Sequence, residues 1–152
     1  MNLFEQLVRD HEKLRDLVTS VRHARAATPR EISRTFGRLS QELKVHHEAE
    51  QRVLFIHLAK LESLGSEALH AVEEHGEHKK LLEMMDDMPS FGTDWWNAFD
   101  SLAHDVLHHL EEEERDIFPL AERNLQQETI EKLARAYAAT KGGCKTALLR
   151  AA

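Results

Sequence analysis

The sequence contains few residues that crosslink, stiffen or interrupt a chain. Among 152 residues there are one cysteine, three prolines and six glycines. The single cysteine, Cys144, excludes an internal disulfide, so a reducing cytoplasm is the expected environment. No hydrophobic run approaches the roughly 18 residues that span a membrane, so no membrane partner is expected. The first residues also lack the basic and apolar segments of a signal peptide.

Positive net charge is lacking as well. The 27 acidic residues outnumber the 20 lysines and arginines, and the net charge is -7 at pH 7. Nucleic acids select basic surfaces, so we expect no nucleic-acid partner. A length of 152 residues with 41% hydrophobic residues suits one globular domain with a hydrophobic core. Histidine, in contrast, is abundant, with eleven residues. Their positions along the chain are therefore the feature to explain.

Hydrophobic residues recur at three- and four-residue intervals, which predicts amphipathic helices. The first helix is predicted over residues 2–27. The second should begin at "TPRE", where Thr28 can cap it, and run to about Leu64. A third, which Ser66 can cap, should end at the loop "MPSFGTD", and a fourth should start near Asp94. Pro29, Gly65, Pro89 and Gly92 therefore mark ends of the predicted helices.

No segment shows the alternation of a strand, and short connections make consecutive helices antiparallel neighbours. We therefore predict an all-α fold, an up-down-up-down four-helix bundle. Pro119 should kink or end the fourth helix. The bundle would occupy residues 1–125. Residues 126–152 would add a short helix, from about 127 to 141, and a loose tail.

A histidine interrupts the hydrophobic stripe of every predicted helix. The inward positions are His11 on the first helix, His46 on the second, His75 and His78 on the third, and His109 on the fourth. On the second and fourth helices a glutamate follows one turn later on the same face, at Glu50 and Glu113, about 6 Å along the axis. Imidazoles and carboxylates are therefore aimed at the place where a core is expected.

Burying an ionised carboxylate without a partner costs several kcal/mol, and a whole domain is stable by only about 5–15 kcal/mol. Two inward glutamates therefore need compensation. Divalent or trivalent cations would supply it, since imidazole and carboxylate together suit iron, zinc or manganese. One inward histidine alone would indicate a hydrogen-bonded core residue. Convergence from four helices predicts a metal site.

The other histidines have different expected places. His47 and His108 flank inward positions and should support the site or lie at the surface. His57 shares the stripe of Glu50 but lies two turns beyond it, so a hydrogen-bonded core histidine is expected. The rest fall on polar faces and should be solvated: His23, His70 and His104.

These motifs resemble those of hemerythrin-like proteins of the HHE cation-binding family, over about residues 3 to 122. They are "DHEKL" with His11, "HHEAEQRVLF" with His46 and Glu50, "EEHGEHKKLL" with His75, and "HLEEEERDIFP" with His109 and Glu113. The resemblance implies a four-helix bundle that holds two non-haem iron ions. It further implies that Glu50, Glu113 and a solvent oxygen bridge the irons and that the four histidines are terminal ligands.

One position departs from the oxygen-carrying members of that family, which place two histidines four residues apart on the third helix. Here Lys79 follows His75 at that spacing. His78 could serve as the additional ligand, or it could replace His75. Four imidazoles would leave an open position on each iron, as in members linked to nitric oxide, peroxide or iron–sulfur repair chemistry. Five would leave one, as in reversible dioxygen carriers.

The leading hypothesis is a cytoplasmic di-iron protein, expected to be a monomer, that meets O2, NO or peroxide at an open iron position as a carrier or an enzyme. Glu12, Glu74 and Glu112 are candidate hydrogen-bond acceptors for the ligand imidazoles. One alternative is an iron or redox sensor whose bundle is stabilised by metal. Another is a ferritin-like di-iron oxidase, although only Glu67 and His70 have its strict Glu-x-x-His spacing, on a polar face.

Overall fold

A computed structural model describes residues 1–151, apart from the side chains of residues 149 and 151. In this part of the chain every regular element is helical and no strand forms, which confirms the all-α prediction. The five main helices are α1 (Leu3–His23), α2 (Pro29–Glu50), α3 (Gly65–Asp86), α4 (Thr93–Glu112) and α5 (Gln127–Ala151). A short 3-10 turn, Ala24–Ala26, follows α1.

Helices α2 and α4 both continue through a π-helical turn. The segments after α2 are the π-helical Gln51–Phe55 and the α-helical Ile56–Leu58, and those after α4 are the π-helical Glu113–Ile117 and the α-helical Phe118–Asn124. Pro119 does not end the helix where it stands, because it occupies the first turn of the last segment, where a missing N–H is tolerated. The chain stays helical to Asn124.

Helices α1 to α4 form the predicted four-helix bundle. Helix α1 packs against α2 and α4, and α3 packs against the same two helices. The connections are short, so consecutive helices are antiparallel neighbours. Within the described residues, no helix has the length and hydrophobicity that crossing a membrane requires.

The predicted helix starts differ in their outcome. The Thr28 hydroxyl accepts a hydrogen bond from the backbone N–H of Glu31, 3.3 Å away, in the expected capping box. Ser66 does not cap α3, because the helix begins two residues earlier than predicted and Leu64 occupies the cap position. Ser66 therefore lies inside the first turn.

The C-terminal stretch differs most from the prediction. Residues 142–151, expected as a loose tail, continue α5 to Ala151. Alanine, lysine, leucine and arginine favour the helix and offset the cost of two glycines, about 1 kcal/mol each. Helix α5 also packs along α1 and α2. Its apolar face lies in the same hydrophobic cluster as the start of α1, through Ile130, Leu133, Ala134 and Tyr137.

The hydrophobic core has two parts with a polar layer between them. One part contains Leu3 and Leu7 of α1, and the other contains Leu14 and Val18 of the same helix. His11 lies between them, one turn from Leu7 and from Leu14, and is fully buried. The other three bundle helices change from apolar to polar residues at the same level. The inward histidines and glutamates occupy this layer.

Candidate metal centre

The polar layer brings six of the predicted ligand residues into one buried cluster. They are His11, His46, Glu50, His75, His109 and Glu113, each at most 3% exposed. Their possible ligand atoms form two groups, within each of which all atoms lie within 4.8 Å of one another. One group holds His11 and His46, the other His75 and His109, and both groups contain both glutamates. Shared carboxylates are the arrangement that can contact two ions at once.

The imidazoles are paired at a distance that suits a shared ion. The Nε2 atoms of His11 and His46 are 3.1 Å apart, and those of His75 and His109 are 2.9 Å apart. Two nitrogens bound at right angles to one ion, each at about 2.1 Å, are separated by about 3 Å. Each pair therefore has the spacing of two neighbouring ligands on one metal ion.

The two glutamates reach both pairs. Glu50 Oε2 lies 3.6 Å from His46 Nε2 and 3.4 Å from His75 Nε2. Glu113 turns one oxygen to each side, since its Oε2 lies 3.7 Å from His11 Nε2 and its Oε1 contacts His109 Nε2. Each carboxylate can therefore bind across two ions, one held by each pair of imidazoles.

Hydrogen bonds on the outer side fix the orientation of all four rings. The Nδ1 atoms contact Glu114 Oε1 at 3.1 Å for His11, Tyr137 Oη at 2.9 Å for His46, Gln51 Oε1 at 2.8 Å for His75, and Glu74 Oε1 at 3.1 Å for His109. Carboxylate and amide oxygens only accept, and the Tyr137 hydroxyl already donates to Asp10. Nδ1 must therefore donate in all four rings, and Nε2 faces inward, where it can bind a metal ion when it carries no proton.

The π-helical turns begin at the two buried glutamates of the cluster. One starts at Gln51, directly after Glu50, and the other starts at Glu113 itself. Such turns are rare and frequently occur at functional sites. The extra residue rotates the following helix by about 100° relative to a regular α-helix. This rotation explains why His57, expected in the core, is exposed.

Without metal, the cluster balances its charge with protons. Burial and the neighbouring Glu113 raise the pKa of Glu50 well above its usual range. Burial alone would raise the pKa of Glu113 too, but the imidazolium of His109 holds this pKa well below the usual range. Burial would lower the pKa of His109, yet Glu113 and Glu74 raise it to about 10. Of the two carboxyl groups, Glu50 is therefore the one that favours its neutral form, while an ionised Glu113 is paired with His109.

The unsatisfied atoms of the cluster fit a metal pair. Among the described residues, both carboxylate oxygens of Glu50 are buried without a hydrogen-bond partner, and the buried Glu113 has an ion pair with His109 as its closest contact. Leaving such groups unpaired costs about 1–3 kcal/mol each, and more when they are charged. Cations between the imidazole pairs would contact all four oxygens. Imidazole and carboxylate donors are the set that iron, zinc and manganese accept.

His78, the other predicted ligand, is buried beside the cluster but belongs to neither group. His47 does lie inside the layer, although we expected it to support the site or lie at the surface. It is 7% exposed, and its ring stacks on that of His75 with centroids 3.7 Å apart. The sequence does contain an indication of this place. His47 directly follows His46, and one residue along an α-helix turns a side chain by about 100°, here toward α3.

The supporting acceptors were only partly predictable. Glu74 bonds His109 as the sequence predicted, whereas Glu112 instead lies 3.3 Å from the exposed His108. Glu114, which accepts from His11, is held by two hydrogen bonds from Arg15 at 2.7 and 2.9 Å. The predicted solvated histidines are exposed: His23, His70 and His104.

Comparison with known proteins assigns the chain to a family. The family model of the Hemerythrin HHE cation binding domain matches residues 2–121. The chain belongs to this family. The HHE fold is also that of a crystal structure of a hemerythrin HHE cation binding domain-containing protein from Mycobacterium kansasii, with a TM-score of 0.82 at 22% identity over 99% of this chain and 91% of that chain. Helix α5, with Tyr137, lies beyond the matched residues of the HHE domain.

A second similar protein is much longer than this HHE chain. A Nostoc sp. (strain PCC 7120) protein named DNA nickase is 28% identical over 141 residues. The match covers 93% of this chain but 39% of the Nostoc protein. The chain therefore spans well under half the length of that relative.

Proposed function

We propose that this HHE domain holds two iron ions side by side and offers an open position on them to O2, NO or peroxide. One observation carries the proposal: six buried ligand residues form two overlapping groups that share both glutamates. His11 and His46 would hold one ion, His75 and His109 the other, and Glu50 and Glu113 would contact both. Two imidazoles and two carboxylate oxygens leave each ion short of a full octahedron.

Bound iron would supply reversible ligand binding and electron exchange, and the chain's own residues would control access and orientation. The Nδ1–H donors hold the rings so that only Nε2 faces the ions. The hydrophobic parts above and below the layer keep water from the carboxylates. The same donors also suit zinc, so the identity of the metal is part of the test.

The other hypotheses receive less support from the site. Glu67 and His70, the one strict Glu-x-x-His pair that a ferritin-like oxidase would use, are both exposed. An iron sensor is favoured by one contact, in which Tyr137 of α5 reaches the ligand His46. DNA nicking, named for the Nostoc relative, is opposed by a net charge of -7 and by the burial of the ligand cluster.

The direct test is the metal content of freshly purified protein, followed by optical spectra under O2, NO and peroxide. We expect about two irons per chain and a band that changes with the small ligand. Glu113→Ala should lose most of the iron, whereas Glu111→Ala, which removes an exposed glutamate two residues earlier, should retain it. One zinc per chain, or iron retained by Glu113→Ala, would contradict the proposal.

The spectra also separate a carrier from an enzyme. A band that appears under O2 and disappears when O2 is removed indicates carriage. Consumption of peroxide over many turnovers indicates an enzyme. Unfolding of α5 when iron is removed, with no spectral response to O2, NO or peroxide, would favour the sensor instead.

A further inference from the structure

A cavity of about 630 Å³ separates α2, α3 and the last turns of α5. Its lining includes His75, a ligand residue, and the buried His47. Lys79, one turn beyond His75, lines the same space, as does Cys144 of α5. Three other cavities, of about 370, 570 and 540 Å³, are lined by no histidine of the two imidazole pairs. The cavity therefore reaches from the surface to His75, one member of the pair that it forms with His109.

The rings of the other pair are covered by side chains on their outer side. His11 bonds Glu114, which Arg15 holds in place. His46 bonds Tyr137, whose hydroxyl donates to Asp10 at 2.5 Å. The two ions would thus have equivalent donors, but only the ion held by His75 and His109 would lie beside this cavity.

His47 lies between the cavity and the ligands. Its ring is parallel to that of His75, at an interplanar angle of 10°, and its centroid is 5.6 Å from that of His109. Its ligand atom lies within 4.8 Å of theirs. Within the described structure, His47 Nε2 is buried and has no hydrogen-bond partner. A buried imidazole nitrogen normally has a partner, so a group from outside the protein is expected to provide one.

We propose that the small ligand enters through this cavity, binds at the open position of the ion held by His75 and His109, and forms a hydrogen bond with His47 Nε2. This inference rests on the proposed function and makes the two ions inequivalent. The ligand class is a diatomic or triatomic molecule that can take part in a hydrogen bond. His47 is then a positioning residue for the ligand and does not bind iron itself.

The first test uses azide as the probe, with the full chain loaded with iron(III). His47→Leu should retain two irons per chain, while azide should dissociate about tenfold faster because one hydrogen bond is lost. His47→Gln, which keeps an N–H donor, should recover part of that loss. Iron content and dissociation rate are both read without any assay of activity.

The second test blocks the cavity. Gly76 lines it from α3, and a Cβ added there meets nothing within 4 Å, so Gly76→Leu places a side chain in the cavity from a position where its first carbon is free. We expect about tenfold slower azide association with unchanged iron content. Gly37→Leu is the matched control, because its Cβ is equally free but lines another cavity on α2. If Gly76→Leu folds poorly, Gly143→Leu obstructs the same cavity from α5.

The outcomes separate this inference from the function on which it rests. Absence of an iron pair in the unmodified chain would end the proposed function. An iron pair that binds azide with the same rates in His47→Leu and Gly76→Leu would overturn only the inference. Loss of one iron in His47→Leu would also overturn it, because His47 would then be a ligand.

Discussion

Single residues of the metal-free centre carry protons at the positions where ions would supply positive charge. Burial and Glu113 raise the pKa of Glu50 well above its usual range, which favours its protonated form. His109 is protonated as well, because Glu113 and Glu74 outweigh the effect of burial and raise its pKa to about 10. Ligands must lose such protons before they bind metal, so metal uptake is coupled to pH.

We therefore predict that binding of divalent metal releases about two protons per chain at pH 7, one from Glu50 and one from His109. Each released proton strengthens binding about tenfold per pH unit, so affinity should rise with pH up to the pKa of His109. Calorimetric titration with metal, in buffers of different ionisation enthalpy, measures the number of protons released. Binding that is independent of pH between 6 and 8 would contradict the assigned charges.

At the scale of elements, helix α5 contacts a cluster whose candidate ligands all come from the bundle. Tyr137 accepts from His46 Nδ1 and donates to Asp10, and Lys141 lies 2.5 Å from the same carboxylate. Hydrogen bonds from His46, Lys141 and Tyr137 overcome burial and lower the pKa of Asp10, which stays ionised. The chain of contacts ties α5 to α1 and to a ligand on α2.

The expected effect of Tyr137→Phe is metal affinity weakened about 10- to 100-fold, because His46 loses the acceptor that holds its ring. Competition with a chelator measures this affinity. Lys132→Met, an exposed change on the same helix, is the control. If both variants hold metal equally well, α5 has no part in the centre.

At the scale of the whole molecule, the polar layer divides the core and joins all four bundle helices. Ions bound there would connect α1 and α2 to α3 and α4 through shared carboxylates. Without them, Glu50 has no partner and Glu113 depends on His109. Metal and protein stability are therefore linked, and bound metal at a thousand times its dissociation constant adds about 4 kcal/mol.

Two variants of the metal-free protein should shift the free energy of unfolding in opposite directions. Glu50→Leu should raise it by about 1 kcal/mol or more, since a buried polar group without a partner becomes apolar. Glu113→Leu should lower it by about 3 kcal/mol, since His109 keeps its charge and loses its closest partner. Urea unfolding after removal of metal measures both. The prediction fails if the two variants shift stability in the same direction.

Much of this arrangement was determined by the sequence alone. The spacing of Leu7, His11 and Leu14 makes them one face of a helix, and the same rule applies to the stripes of the other bundle helices. Short connections then leave the antiparallel bundle as the compact solution. Helical periodicity therefore sufficed to bring six side chains to one level, and their binding of iron stays a prediction.

Tertiary structure decided which neighbours complete that layer. The π-helical turn after Glu50 changes the phase of the helix and turns His57 outward, which regular periodicity does not anticipate. In the sequence, Tyr137 is only one more apolar position of the last helix. Its role beside the cluster arises because α5 packs on α1 and α2. His47 joins the site because α3 brings His75 against its ring. Local spacing specifies the face on which a side chain lies, whereas its partners depend on how the helices pack together.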